Sequence, residues 1–553
     1  MRGKKHVRQL ALILVFAALL AVPAYALTTE NIDVIWTIPG DTALQAFGSS
    51  LASGDVNGDG VPDIVVASDM YCEESLPRTL RGMAEIYYGN HVGDSAPDLV
   101  LRSPTWKGSN TPNLACGDLN GDGYADVAMG EDMADSGYGM CTIWLGGNPM
   151  DTVPACVIRS RNVWWLNGGF GRDISTGDVD GDGCDDLVVG AYYSAQRPGE
   201  FGTGRVYVFY GGPGLDTIPD VTLQGGHDGE TEGFGIGVSA EGDFDHDGYH
   251  DIIVGAWQYG GFGGKGRVYV YYGGNPMDTS YDMAMSGDRD AQCLGVDKPG
   301  ALNTQGSFDY AVLGHELWPH GIFSPSANCG KVYVWQGGRP MDSVPDMELV
   351  GRVDTAELGY SAQSAGDASG DGTDDLIGGA PYSWPPSATG AAYLWETGSH
   401  FDTVPDAWMM GDAVQQVVGE RVCTAGDIDG DGRSEFLVSD YTSNPRQYVW
   451  VCKYTGSGIE EEKPRRLTSL RLDVAPNPAR GALSVRYEVT SPSRVSVGLY
   501  DVGGRLVRSL CEGYVAAGKY EAKLPSGILP AGIYICALDN GTQRISRKVV
   551  LTE

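Results

Sequence analysis

The chain has 553 residues, of which 81 are glycine, and its formal net charge is −34. This length exceeds that of one ordinary domain, and a hydrophobic fraction of 42% is too high for a disordered acidic tail. The negative charge argues against nucleic-acid binding, because phosphate backbones are bound by basic surfaces. Many short strand patterns separated by glycine turns predict an all-β protein.

The first 26 residues have the features of an export signal. A basic start precedes an apolar run over 10–22, and the small-x-small cleavage pattern Ala24-Tyr25-Ala26 follows it. The alternative, a membrane anchor, is disfavoured because the apolar run is short. We therefore expect a secreted or cell-surface protein that is cleaved after Ala26.

A nine-residue acidic loop recurs along the chain, and its third copy reads Asp178-x-Asp180-x-Asp182-Gly183-x-x-Asp186. Carboxylates this close repel one another unless a cation neutralises them. Oxygen ligands at alternate positions suit a hard cation of the size of calcium. Because the flanking segments alternate like strands, each loop is predicted to be a calcium-clamped β-hairpin, with structural calcium as the cofactor.

Six loops share this pattern, with the seventh position offering its backbone carbonyl. The predicted metal-binding residues are Asp55, Asn57, Asp59, Val61 and Asp63; Asp118, Asn120, Asp122, Tyr124 and Asp126; Asp178, Asp180, Asp182, Cys184 and Asp186; Asp243, Asp245, Asp247, Tyr249 and Asp251; Asp367, Ser369, Asp371, Thr373 and Asp375; and Asp427, Asp429, Asp431, Arg433 and Glu435.

The loops keep a period of about 60 to 65 residues, apart from one gap of twice that length. A degenerate seventh unit fills the gap, opening at Leu294-Gly295 and closing over 308–314 without the first acids. Each unit has four strand-like segments, which in the third copy cover 172–176, 186–190, 205–210 and 220–223. Since one four-stranded sheet cannot bury both its faces, residues 31–454 are predicted to form a seven-bladed β-propeller.

The fourth segment follows only six of the seven units, because a polar linker begins directly after the last third strand. The alternating segment 33–38 near the start of the chain has the character of the missing strand. We predict that Asp33–Ile38 forms the outer strand of the last blade and pairs with 446–453, which closes the ring and protects an otherwise unpaired edge.

The repeats resemble FG-GAP repeat proteins, of which the propeller of integrin α-subunits is an example. The resemblance lies in Phe47-Gly48, Phe170-Gly171 with Gly190-Ala191, Phe234-Gly235 with Gly255-Ala256, and Gly379-Ala380-Pro381. It implies that the calcium loops lie on one rim, away from the face that binds ligands.

A linker over 455–466 precedes a second predicted domain, a β-sandwich over 467–553, which resembles the C-terminal sorting domain of type IX secretion cargo. The matching segments are 476–478, 500–505, 518–520, 530–534 and 548–551. The resemblance implies an outer-membrane secretion machinery as a partner. The alternative is an accessory immunoglobulin-like domain with no sorting role.

Export permits disulfides, and the eleven cysteines are odd in number, so at least one is unpaired. The first pairings to test are Cys293 with Cys329 and Cys511 with Cys536. Buried reduced cysteines are an equal alternative.

The other rim is rich in aromatic side chains, which suit contacts with a sugar or a protein. The candidate ligand-binding residues are Tyr193, Trp257, Tyr259, Trp318, Trp384 and Tyr441. The alternative is that some of these aromatic side chains only cap the core of a blade and bind nothing. The sequence around His315 and His320 lacks zinc-protease spacing.

Two functions remain open. The first is a monomeric binding propeller that takes a glycan or a surface protein. The alternative is a carbohydrate-active enzyme, lyase-like or hydrolase-like, with acids on the same rim.

Overall fold

The protein is described by a computed structural model. The described residues are 27–40, 47–72, 80–104, 112–160, 168–194, 202–225, 232–257, 266–286, 300–303, 309–315, 330–339, 341, 343–351, 358–381, 389–398, 401–411, 416–440, 447–456, 470–475, 479–480, 483–489, 493–500, 505–515, 518–524, 528–530, 532–539 and 544–552.

The chain divides into two compact units, Met1–Gly458 and Ile459–Glu553. This boundary lies inside the linker predicted over 455–466. The export signal predicted over 1–26 lies outside the described residues. Among the residues that are described, no helix has both the length and the apolar character needed to cross a membrane.

The described part of the first unit contains seven antiparallel sheets, numbered 1 to 7 in chain order. Sheet 1 contains β3 (Phe47–Gly54), β4 (Asp63–Cys72), β5 (Leu80–Tyr87) and β6 (Leu99–Arg102), and sheet 2 contains β7 (Asn113–Gly117), β8 (Asp126–Glu131), β9 (Met140–Trp144) and β10 (Cys156–Arg159). Sheet 3 contains β11 (Phe170–Gly177), β12 (Asp186–Ala191), β13 (Arg205–Phe209) and β14 (Val221–Gln224). Sheet 4 contains β15 (Phe234–Gly242), β16 (Asp251–Ala256), β17 (Arg267–Tyr271) and β18 (Met283–Ser286).

Sheet 5 contains β19 (Gly300–Leu302), β20 (Tyr310–His315), β21 (Lys331–Gln336) and β22 (Met347–Val350). Sheet 6 contains β23 (Ser361–Ser364), β24 (Leu376–Ala380), β25 (Ala391–Trp395), β26 (Ala407–Gly411) and β1 (Leu27–Glu30). Sheet 7 contains β27 (Val418–Gly426), β28 (Glu435–Asp440), β29 (Tyr448–Tyr454) and β2 (Ile32–Pro39). Two short helical segments are also described, a 3₁₀ turn at Gly89–His91 and α1 at Ala134–Gly137.

The core of the first unit lies between neighbouring sheets. For example, Val188 and Val206 of sheet 3 belong to the same buried cluster as Val238 and Val254 of sheet 4. The middle strands are therefore apolar on both faces, as expected for sheets covered on each side. The first strands contact one another in cyclic order, and β27 of sheet 7 contacts β3 of sheet 1. The predicted β-propeller fold class is confirmed.

Glycines allow neighbouring sheets to approach closely. Gly235 has a φ of 85°, a backbone conformation that residues with a side chain rarely adopt. Its carbonyl oxygen lies 2.2 Å from the position that a Cβ on Gly190 would take. Gly190 belongs to sheet 3 and Gly235 to sheet 4. The Phe-Gly and Gly-Ala pairs of the repeat thus meet across the interface between two sheets, and this contact explains why both glycines recur.

The two ends of the repeat region meet in sheet 7, as predicted. Strand β2 pairs antiparallel with β29, with Asp33 opposite Lys453 and Ile38 opposite Val449. The side chains of Trp36 and Ile38 are buried in a cluster that joins sheets 7 and 1. The outer strand of the last sheet therefore comes from the start of the chain, and the predicted pairing is confirmed.

The sequence did not predict the pairing of β1. This strand adds a fifth strand to sheet 6 by pairing with β26, and Trp408 Nε1 donates to the Glu30 carboxylate at 2.6 Å. Asn31, with a φ of 57°, turns the chain from sheet 6 to sheet 7, and its side-chain amide donates to the Asp406 carbonyl at 2.8 Å. The start of the chain therefore links two neighbouring sheets.

The second unit contains two sheets. One has the order β30 (Leu470–Ala475), β31 (Leu483–Val489), β34 (Gly518–Leu524), and the other has the order β33 (Leu506–Val515), β32 (Ser493–Tyr500), β35 (Gly532–Asp539), β36 (Arg544–Leu551). Leu472 and Val485 of the first sheet share one buried cluster with Val497 and Leu538 of the second. This arrangement is the predicted small β-sandwich.

The suggested disulfide between Cys511 and Cys536 is wrong, because both cysteines are free. Cys511 lies on β33 and Cys536 on β35, and β32 runs between these strands. Two strand spacings place the Cα atoms about 10 Å apart, beyond the limit of about 7 Å for a disulfide. Cys293 and Cys329 lie outside the described residues.

We expect removal of 27–38 to destabilise the whole first unit. The deletion takes away the outer strand of sheet 7 and its buried Trp36 and Ile38, so the melting temperature of the unit should fall as a whole. Deletion of 27–30 alone removes only β1, whose side chains are half-buried or exposed, and should cost much less. Differential scanning calorimetry of both deletions tests this, and equal losses would contradict it.

Candidate functional site

The six acidic loops connect the first and second strands of their sheets, so they all lie at the same end of the sheets. In sheet 3 the loop is held by its own carboxylates. Asp178 accepts hydrogen bonds from the backbone N–H groups of Gly181 and Gly183 at 2.7 and 3.0 Å, and Asp182 accepts one from Cys184 at 2.8 Å. The first acids Asp55, Asp118, Asp367 and Asp427 accept the equivalent pair of bonds in their loops.

The fourth and sixth positions of the loops have positive φ angles, which explains the glycines found there. In sheet 3 these are Gly181 at 77° and Gly183 at 89°. The loop of sheet 4 has His246 at the fourth position with a φ of 57°, so a non-glycine residue is forced into the left-handed region there. The backbone shape of the loop is therefore kept even where the fourth position is not glycine.

The ninth position of each loop holds a fully buried acid. Asp186 accepts hydrogen bonds from Val179 N at 2.9 Å and from Gly211 N, just beyond the third strand, at 2.8 Å. Burial raises the pKa of the closing carboxyls Asp63, Asp126, Asp186 and Asp375 to about 7 and that of Asp251 to about 8, although these backbone bonds oppose the shift. A cation beside such a carboxylate would favour its charged form.

The loops also tie neighbouring sheets together. The residue at the eighth position donates its backbone N–H to the carbonyl at the first position of the preceding loop. These bonds run from Ala125 to Asp55, Asp185 to Asp118, His250 to Asp178 and Ser434 to Asp367. Sheet 5, whose unit lacks the acidic loop, takes part in comparable bonds from Asp309 to Asp243 and from Asp374 to Asn303. At the junction of sheets 7 and 1 this position is Pro62, which has no N–H to donate.

The donor sets fit a hard cation. Three carboxylates each place an oxygen within 4.8 Å of the others in the loops of sheets 3, 4 and 7, namely Asp178, Asp180, Asp186; Asp243, Asp245, Asp251; and Asp427, Asp429, Glu435. Asn57, Asn120 and Ser369 occupy the third position in the remaining loops, so these loops still offer oxygen ligands there. Asp245 Oδ1 is buried and accepts no hydrogen bond in the described residues, so it is left with an oxygen that a cation could satisfy.

Among the described residues, basic side chains form ion pairs with the acids of two of these loops. Arg339, which follows the third strand of sheet 5, places Nε 2.8 Å from Asp245 Oδ2 in sheet 4, but its side chain is 58% exposed. Lys453, on β29 of sheet 7, enters the loop of its own sheet and contacts Asp429, Asp431 and Glu435. Sequence reasoning missed both contacts, because neither basic residue lies within a loop.

On the opposite rim, Tyr193 and Trp257 are the two described candidates. Tyr193 is 37% exposed, and its ring centroid lies 3.9 Å from that of Tyr192. Trp257 is half-buried, and its indole lies where a Cβ on Gly233 would stand. Tyr193 therefore faces solvent, whereas Trp257 packs on the backbone beneath it. Tyr259, Trp318, Trp384 and Tyr441 lie outside the described residues.

A cavity of about 270 Å³ lies among the loop-side ends of the first strands. Its lining includes Asp185, His250 and Glu241. Asp185 accepts a hydrogen bond from Asp118 N at 2.8 Å, and His250 Nδ1 accepts one from Asp178 N at 3.2 Å. Two of its titratable groups are thus already used in contacts between sheets.

A buried glutamate ties sheets 1 and 2 together at the rim opposite the loops. Glu131 is 2% exposed and accepts hydrogen bonds from Ser103 Oγ at 2.6 Å and Gly82 N at 3.2 Å. Burial raises the pKa of its carboxyl to about 7. The charged form is therefore disfavoured in the folded protein.

We expect Glu131→Gln to stabilise the protein at pH 8 and not at pH 4. Because the pKa of Glu131 is higher in the folded state, the protonated carboxyl makes its full contribution to the free energy of unfolding below its ordinary pKa of 4.5. This contribution is lost as the pH rises towards 7. The loss is on the order of 3 kcal/mol at pH 8. Glutamine keeps an acceptor for Gly82 and adds a donor for Ser103.

Melting temperatures of the wild type and the Glu131→Gln variant across this range test the prediction. The other titrating groups are common to both proteins, so only the difference between the two curves is read. A difference that does not change with pH would contradict the assigned burial effect.

The fifth and ninth loop positions should respond differently to substitution. Asp186→Ala leaves the N–H groups of Val179 and Gly211 without their acceptor, so it should cost about 2 kcal/mol or more even in chelator. Asp182→Ala removes an exposed acid and should matter chiefly when calcium is present. Thermal unfolding with and without calcium tests this, and equal losses in chelator would contradict it.

Two families match parts of the chain. The FG-GAP repeat matches residues 47–73, 170–209 and 234–271, and the secretion system C-terminal sorting domain matches 473–552. A solved fungal alcohol oxidase in complex with copper aligns with 93% of this chain and 99% of its own, with a TM-score of 0.38 and 10% identity. This similarity is too low to indicate a shared fold or function.

Several integrin α-subunits are similar to the repeat region. Integrin alpha-V of Gallus gallus is 31% identical over 42% of this chain and 22% of its own length, and integrin alpha-5 of Xenopus laevis is 31% identical over 32% and 16%. Integrin alpha-6 of Gallus gallus is 37% identical over 22% and 11%. The chain thus spans less than a quarter of each of these relatives. Its first unit contains FG-GAP repeats similar to those of integrin α-subunits, and its second unit contains a secretion-system C-terminal sorting domain.

Proposed function

We propose that this protein is an exported, calcium-stabilised β-propeller that binds a glycan or a protein ligand through the rim opposite its acidic loops. The observation that carries the proposal is the division of the two rims. One rim carries the acidic loops, whose backbone groups hold neighbouring sheets together, and the other presents the exposed Tyr193. The similarity to integrin α-subunits and the sorting domain support a secreted or cell-surface location.

Calcium in this proposal has a structural role. The carboxylates of each loop already accept backbone hydrogen bonds within the loop, and the loop carbonyls accept bonds from the neighbouring sheet. A bound cation would neutralise the acids and so stabilise the connection between sheets. A ligand that binds only the folded state raises stability by about 2.7 kcal/mol at a hundredfold excess over its dissociation constant.

Ligand binding is assigned to the rim of Tyr193 because an exposed aromatic ring held by a neighbour is a rigid contact surface. Tyr192 lies against Gly169, at whose position a Cβ would stand 2.4 Å from the Tyr192 ring. The Tyr193 ring lies over the ring of Tyr192, so little side-chain entropy is lost on contact with a partner. Aromatic rings of this kind suit sugar faces and apolar protein side chains.

The alternative function, a carbohydrate-active enzyme, has less support in the described residues. On the rim of Tyr193, Glu131 is buried and bound by two donors from sheet 1. In the central cavity, Asp185 and His250 hold neighbouring loops. An acid pair free to act on a substrate would need groups that are not committed in this way.

The sorting domain extends the proposal to export. The family that matches residues 473–552 is defined by a role in secretion, so the second unit would be recognised by secretion machinery. The compact division after Gly458 is consistent with a signal that is recognised separately from the repeat region.

A binding screen of the mature protein against glycans and surface proteins tests the function. For any ligand found, we expect Tyr193→Ala to weaken binding at least tenfold, or about 1.4 kcal/mol. Tyr281→Ala is the matched control, because Tyr281 is 42% exposed but lies between β17 and β18, at the loop end. Equal effects of the two substitutions, or none for Tyr193, would contradict the assigned rim.

A further inference from the structure

The loop of sheet 7 differs from the other acidic loops because a lysine enters it. Lys453 Nζ lies 2.7 Å from Asp431 Oδ2 and 3.7 Å from Glu435 Oε1, and it also contacts Asp429 Oδ2. These three acids occupy the third, fifth and ninth positions. The ammonium group therefore reaches the carboxylates that are predicted to hold the calcium ion in the other loops.

The closing acid of this loop is also held differently. In the other five loops the closing aspartate accepts a backbone N–H from just beyond the third strand, donated by Gly89, Gly146, Gly211, Gly273 or Thr397. In sheet 7 the closing acid is Glu435, and among the described residues its buried Oε1 accepts no hydrogen bond. Lys453 supplies the positive charge on that side of the carboxylate.

The lysine is fixed in place by its strand. Lys453 lies on β29 opposite Asp33 of β2, in the sheet that joins the two ends of the repeat region, and its side chain is only 21% exposed. An ammonium group has three donors and no acceptor, which matches three converging carboxylates. A cation on the same chain needs no ion from solution.

The loop of sheet 3 provides the comparison. It has aspartates at the same four positions where the loop of sheet 7 has acids, but in the described part of the chain no basic side chain pairs with these four. Asn275 of sheet 4 places its side-chain amide 3.4 Å from Asp180 Oδ2, which is a neutral contact. Arg339 at the loop of sheet 4 is 58% exposed and comes from another sheet, so it is open to displacement.

We propose that the Lys453 ammonium occupies the ion position in the loop of sheet 7, so that this loop is neutralised without calcium while the other five loops take the metal. The inference rests on the proposed role of calcium. Its consequence is that the sheet which closes the ring remains held when calcium is removed.

The experiment counts bound calcium by equilibrium dialysis of the full mature chain at saturating calcium. The wild type should bind five ions and Lys453→Met six, because the freed carboxylates then need a counter-ion. Two matched substitutions assign the loops. Asp178→Asn in sheet 3 should lose one ion, whereas Asp427→Asn in sheet 7 should lose none.

Loss of an ion in the Asp427→Asn variant would overturn the proposal, as would an unchanged count in Lys453→Met. Thermal unfolding gives a second measurement. In chelator, Lys453→Met should lower the melting temperature, and calcium should restore it. Lys331→Met, which removes an exposed pair with Glu348 at 2.9 Å, is the control and should show no such response.

These outcomes also separate the two proposals. If the wild type binds no calcium and Asp178→Asn changes nothing, the proposed role of calcium fails. Loss of stability in chelator for Lys453→Met would still show that the lysine neutralises its loop, and an unchanged melting temperature would refute that role too.

Discussion

At the interfaces of sheets 1 and 2, 2 and 3, 3 and 4, and 6 and 7, the first unit is held by a hydrogen bond between the backbone N–H at the eighth position of one acidic loop and the carbonyl at the first position of the preceding loop. A four-stranded sheet leaves two apolar faces to be covered, and the faces are covered only if neighbouring sheets stay in register. The bond from Asp185 to Asp118, 2.9 Å long, fixes the loop ends of sheets 2 and 3 at a short distance. Each loop must therefore keep its shape for the neighbouring interface to hold.

The cost of this arrangement is concentrated negative charge. Each loop brings its carboxylates together, and the closing acid is fully buried, so burial and mutual repulsion both disfavour ionisation. The structure contains two kinds of compensation. Backbone N–H groups point at the first and ninth acids within each loop, and basic side chains approach two of the loops. Lys453 does this from within its own sheet, whereas Arg339 does so from the next sheet and is more exposed.

The different roles proposed for the two rims follow from the sheet topology. Antiparallel strands place the connections between first and second strands, and between third and fourth strands, at one end. The connections that carry Tyr193 and Trp257 lie at the other. The acidic loops at one end hold neighbouring sheets together, so variation in length and sequence is better tolerated in the connections at the opposite end. A surface that contacts a partner is expected on connections whose side chains are not needed to hold the fold together.

The sequence by itself determined the repeat, the all-β class, the acidic loops and the pairing of β2 with β29, because each depends on residue spacing or on a count of strands. The loops are predictable for a physical reason: the hydrogen bonds inside each loop join residues two to seven positions apart. The tertiary structure decided what depends on distant residues. It placed β1 on sheet 6, Lys453 in the loop of sheet 7 and Trp257 against Gly233, and it separated Cys511 from Cys536 by a strand. None of these contacts leaves a periodic signal, because each joins segments whose separation is set by how the sheets pack.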